Sequence, residues 1–164
     1  MKKKKSSEPT VRTIDTSAYL TVLRELVEDG KSVSLTVSGM SMFPFLEHER
    51  DTVYFEAPKR NLRKGDIVFY QRRNGQYVMH RIYKVKGDEY YIVGDAQSVV
   101  EGPVLRDQIF AIVTQVKRNE RMLTPSSLTW KFYEWVWINL LPYRGVLMLP
   151  YRVVRKVRRI MERS

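Results

Sequence analysis

The stretch DIVFYQRRNGQYVMHRIYKVKGDEYYIVGD, residues 66–95, decides the fold. Three runs rich in Val, Ile, Tyr and Phe are separated by Asn74-Gly75 and Gly87-Asp88. Both dipeptides tolerate the positive φ that tight hairpins need, so the stretch predicts three consecutive antiparallel strands ending at Gly94-Asp95. The pattern continues outward in both directions. Upstream, DTVYFEA (residues 51–57) reads as a strand closed by Pro58, and Val33, Leu35 and Val37 alternate with polar residues in another. Downstream, QIFAIVTQVKR predicts a last strand from Gln108. Before them Tyr19, Leu20, Val22, Leu23, Leu26 and Val27 form one helical face, with Asp15 or Thr16 as N-cap and Gly30 as the stop. The expected fold is mainly β (α+β), a compact twisted antiparallel sheet or partly closed barrel with one N-terminal helix.

Composition narrows the chemistry. The 164 residues include no cysteine, which excludes disulfides and thiolate metal sites, and only two histidines, His48 and His80. The net charge is +11 and is concentrated at the ends. Lys2 to Lys5 head a basic arm over residues 1–14, and Arg152, Arg155, Lys156, Arg158, Arg159 and Arg163 stand against one acid, Glu162, at the other end. Between residues 15–121, read as the main domain, and that terminus, residues 122–164 hold all three tryptophans. There Val153, Val154, Val157, Ile160 and Met161 fall at helical spacing opposite arginines, as an interfacial helix requires. The expected partner of residues 128–164 is an anionic membrane surface; nucleic acid is the less favoured polyanion. Neither a secretory signal nor a run of about 20 apolar residues is present, so a cytoplasmic or peripheral-membrane protein is expected.

VSGMSMFPFL, residues 37–46, carries two serines into a proline. A serine hydroxyl becomes a nucleophile only beside a base. His48 sits in LEHER, a charged loop, and is expected to face water. His80 shares strand parity with Val78 and Ile82, so it is either a core histidine or a proton acceptor. Lys84 has the same parity and is the other candidate base.

SGMSMFPFL, KGDIVFY, VMHRI and YIVGDAQ run in an order and spacing that resembles type I signal peptidases and the self-cleaving peptidase domains of LexA-type repressors, over residues 33–116. The VMHRI context is similar to the endoplasmic-reticulum-type branch, which has histidine where the others have lysine. The resemblance implies Ser41 as nucleophile and His80, 39 residues later, as general base. It also implies Ser38, Gly39, Met40 and Met42 as substrate or oxyanion neighbours. Gly39 stands where bacterial-type enzymes can have a serine as second oxyanion donor, and the Ser41 N–H is the first. Asp95 matches an aspartate that could orient His80 or brace the site; Glu101 stands six residues on, where a second aspartate is usual. Asp66 is expected to shape a turn. No cofactor and no metal is implied. The implied substrate is a signal, leader or other precursor peptide with small residues before the cleaved bond, lying extended along a sheet edge. The family's N-terminal membrane anchor is not seen, so a soluble or peripheral enzyme is expected. A self-cleaving regulator is disfavoured by the lack of any Ala-Gly or Cys-Gly bond. The alternative from another class is a non-catalytic peptidase-fold module that binds a membrane surface or nucleic acid through its basic ends.

Overall fold

The computed structural model describes residues 16–151 and Val153. The basic arm, the Asp15 N-cap and the apolar run from Val154 to Met161 lie outside the described residues. Helix α1 (Thr16–Glu28) turns Leu23 and Val27 inward. It ends where Gly30, at φ 80°, donates to the Val27 carbonyl and Lys31 donates to that of Leu26. A left-handed residue there closes the last turn without a Cβ clash, and glycine supplies it.

Eight strands follow: β1 (Val33–Thr36), β2 (Asp51–Glu56), β3 (Ile67–Gln71), β4 (Tyr77–Lys86), β5 (Glu89–Val93), β6 (Glu101–Leu105), β7 (Ile109–Arg118) and β8 (Arg121–Leu123). They form one antiparallel sheet ordered β1-β2-β7-β3-β4-β5-β6, with β8 added to β7, and the sheet does not close. The hairpins at Asn74-Gly75 and Gly87-Asp88 form as the sequence predicts. Strand β6 was not anticipated, because GPV places a proline inside it. It is an edge strand, where a missing N–H is tolerated.

Strand β3 lies in the middle of the sheet and is buried on both faces. Ile67 and Phe69 enter one core with Leu23, Val27, Phe45 and Trp130. Val68 and Tyr70 enter a second core with Ile82, Tyr90, Ile92 and Ile109. Period-two alternation in a doubly buried strand thus sends successive side chains to two separate cores. After β8, helix α2 (Leu128–Lys131) runs into a π-type turn at Phe132–Val136, a 3-10 segment at Trp137–Tyr143 and helix α3 (Arg144–Leu147). Trp130 packs edge-on against Phe45, ring centres 5.4 Å apart, so this segment completes the first core.

Candidate active site

Ser41 sits on the connection between β1 and β2, held at both ends. Val37 donates to the Asp51 carbonyl (2.8 Å) and receives the Glu49 N–H (2.9 Å). Between them Met42, Phe45 and Leu46 are buried in the first core. The fully buried Asp51 carboxylate takes Arg50 and Arg118 on both oxygens and the Glu47 N–H at 3.0 Å. Arg118 also donates to the Phe45 carbonyl. Burial pushes the Asp51 carboxyl up, but the two guanidiniums and the amide outweigh it and hold it below its ordinary value.

The Ser41 carbonyl accepts the Ala96 N–H at 2.9 Å. This puts the serine against the turn that follows β5. Gly94 belongs to that turn, and a Cβ there would stand 2.5 Å from the Ser41 carbonyl oxygen. Only glycine permits the approach. Ser41 is partly exposed, and among the described residues neither its hydroxyl nor its N–H has a hydrogen-bond partner. Both groups a peptidase serine must offer, a nucleophile and an oxyanion donor, are therefore unengaged.

His80 lies on β4 opposite Val68 of β3, one residue before Arg81, which pairs with Val93 of β5. The next step along that register reaches Gly94, the first residue of the turn that the Ser41 carbonyl binds. The residue is 3% exposed and its ring lies 6.3 Å from that of Tyr70; its Nδ1 is sealed from solvent and has no partner among the described residues. Burial lowers the imidazole from 6.5 to about 4, helped by Arg72 and opposed by Glu101 and Asp95. The ring is therefore neutral at pH 7. Among the described residues no hydrogen bond joins it to the Ser41 hydroxyl.

The acids are engaged elsewhere. Asp95 and Arg81, both fully buried, form a bidentate pair at 2.9 and 2.8 Å, and Arg81 also donates to the Gly65 carbonyl. Glu101 accepts Arg72 on both oxygens and the Tyr70 hydroxyl at 2.8 Å. Hydrogen bonding to Arg72 holds its carboxyl below the ordinary value, and burial together with Glu101 pushes the Tyr70 phenol up. Both acids reach His80 through the field rather than through a bond. Asp66 accepts both Arg60 nitrogens (2.8 and 2.7 Å) and the Arg63 N–H, which ties down the 60–66 turn.

The remaining predicted neighbours separate. Ser38 is exposed and borders an apolar cavity of about 220 Å³ lined also by Leu35, Val37, Val53, Tyr77 and Met79. Gly39, at φ 89°, donates its N–H to His48 Nδ1 at 3.2 Å. Met40 is half-buried, and Met42, 2% exposed, belongs to the core. His48 is thus not merely a solvent-facing residue: it folds back on the serine loop. Lys84 is exposed, because a bulge between Ile82 and Lys84 breaks the parity it was read to share with His80.

Sequence reading missed the C-terminal segment's hold on this turn. Trp137 Nε1 donates to the Asp95 carbonyl at 3.0 Å. The fully buried Arg144 donates to the carbonyls of Gly94 (3.0 Å), Gln97 (3.3 Å) and Trp137 (3.1 Å). Tyr151 stacks on Phe43, two residues beyond the serine, at 4.0 Å. The only sequence signal was an arginine amid apolar residues, which does not say what it will meet. Arg81 was visible in VMHRI but only as context for His80. Among the described residues no group of three or more His, Asp or Glu could hold a metal.

No curated protein matches the chain. A family model described as Peptidase S24-like matches residues 4–117, which takes in Ser41, His80, Asp95 and Glu101. The match spans more than half of the chain, stops at the end of β7 and agrees with the open antiparallel sheet around the serine loop: the chain belongs to the Peptidase S24-like family.

Proposed function

We propose that this protein is a serine endopeptidase of signal-peptidase-like type, with Ser41 as nucleophile and His80 as general base. The observation that carries the reading is the pairing of an unengaged Ser41, pinned through its carbonyl to the Gly94–Gln97 turn, with a buried neutral imidazole on β4, the strand that pairs with β5 ahead of that turn. In the reaction His80 takes the Ser41 proton as Oγ adds to the substrate carbonyl. The Ser41 N–H stabilises the oxyanion, the imidazolium protonates the leaving amine, and water then releases the acyl group. Gly39 has committed its N–H to His48, so the serine's own amide is the principal donor.

The substrate reading rests on two features. Among the described residues strand β1 ends the sheet order, and its unpaired edge leads into Ser38–Ser41. An extended peptide added there would be carried towards the serine. The cavity below Ser38 is small and apolar, matching small side chains before the cleaved bond, as in a signal, leader or other precursor peptide.

The test is cleavage of a peptide library varied in the residues before the scissile bond, followed by mass spectrometry. Wild type should cut after small residues. Ser41→Ala should abolish cutting, and His80→Ala should slow it by about 10²–10⁴-fold, the usual contribution of a general base. Cleavage that survives Ser41→Ala would sink the proposal. An ordered, inert wild type would leave the peptidase-fold binding module in its place.

A further inference from the structure

We infer that the outer face of the C-terminal helical segment is a docking surface for an anionic lipid bilayer, on which the protein lies without crossing it. Residues 128–151 are apolar on two sides. Trp130, Trp137, Ile138, Leu141 and Met148 face the protein and are buried. Phe132, Trp135 and Val136 are exposed, and so is a second triplet, Tyr143, Val146 and Leu147, eleven residues later in the sequence. Trp135 is 69% exposed and Val146 70%. One large exposed apolar residue is ordinary, but six in two matched triplets within sixteen residues are a surface with an occupant.

Charge selects the occupant. Between residues 128 and 153 the only acid is Glu134, and it is buried against Arg63 at 3.3 Å. Lys131 is exposed beside the first triplet, and residues 152–164 add six cations against one acid. An apolar, aromatic face continuous with a polybasic sequence is the two-part signal that holds a peripheral protein on anionic lipid. Tyr143 and Trp135 suit the headgroup layer, where an apolar ring carries a polar atom. A second copy would bring like charges together. Nucleic acid would meet apolar rings where it needs cations for its phosphates. Among the described residues no helix is long and apolar enough to cross a membrane. The inference does not depend on the peptidase reading, since it uses neither Ser41 nor His80.

The full chain is mixed with vesicles of phosphatidylcholine, and of phosphatidylcholine with phosphatidylglycerol, at low and high salt. Partition is read by sedimentation and by tryptophan emission. Because Trp130 and Trp137 are buried, a shift to shorter wavelength reports Trp135. Binding is expected to the anionic vesicles only, to weaken in salt, and to fall about tenfold or more in Phe132→Ser/Trp135→Ser. A second variant, Val146→Ser/Leu147→Ser, tests the other triplet, and circular dichroism confirms that each is folded. Absence of partition overturns the inference. So does equal partition in both variants, a concentration-dependent dimer lost in the variants, or tighter binding to DNA than to the anionic vesicles.

Discussion

His80 and Asp95 make opposite use of burial. For His80 the folded value of about 4 lies below the unfolded 6.5, so between those values the unfolded chain binds the extra proton. The stabilisation is whole above pH 6.5 and is lost as pH falls towards 4. Urea denaturation from pH 7 to 4 should therefore show a loss of a few kcal/mol that His80→Phe flattens. On the proposed mechanism the same shift predicts that kcat/KM for peptide cleavage holds down to about pH 4, where His80 becomes protonated. An acid limb near 6.5 would mean that some other group is the base. Asp95, by contrast, is matched by Arg81 with no solvent on either side. Removing one partner strands the other, so Asp95→Ala should cost about 3–5 kcal/mol in urea denaturation. A variant as stable as wild type would show that the pair does not brace the turn.

At the scale of elements, the Gly94–Gln97 turn is the junction. Ser41 binds it from one side through Ala96; Trp137 and Arg144 bind it from the other. Among the described residues Arg144 has no carboxylate hydrogen-bond partner and its Nε has no partner at all, and burial pushes its guanidinium down. The compensation is three backbone carbonyls, of Gly94, Gln97 and Trp137, which the guanidinium ties together. Arg144→Met should therefore destabilise by about 1–3 kcal/mol and speed hydrogen exchange at the Ala96 amide, which donates to Ser41. Unchanged exchange would separate the helical segment from the serine loop. That segment lies wholly beyond the family match, so here an appended element supports a turn the family supplies.

For the whole molecule, the arrangement is one open sheet with a core on each face, and the β1–β2 connection that carries Ser41 is bonded to the turn following β5. Period-two runs, Asn74-Gly75, Gly87-Asp88 and the Gly30 stop were legible because each is a local preference that needs no partner. Strand β6 was not, since its proline is acceptable only at an edge, and which strand is an edge is decided by the final order. Lys84 was misread because a bulge is a property of two paired strands, not of one run. The order of the four motifs around Ser41, His80 and Asp95 was legible in the same way as the hairpins.

The sequence by itself determined the first helix, most of the strands, the family resemblance and the scarcity of histidines. It also determined that cations and aromatic residues would collect at the C-terminus. Only the tertiary structure decided that Asp95 belongs to Arg81, that Glu101 belongs to Arg72 and Tyr70, and that His48 turns back onto Gly39. It alone sorted the tryptophans, two inward and one outward. The physical reason is common to all of these. A hairpin or helix stop is paid for by the residues that form it, whereas a buried charge or an exposed ring takes its energy from whatever distant segment packs against it.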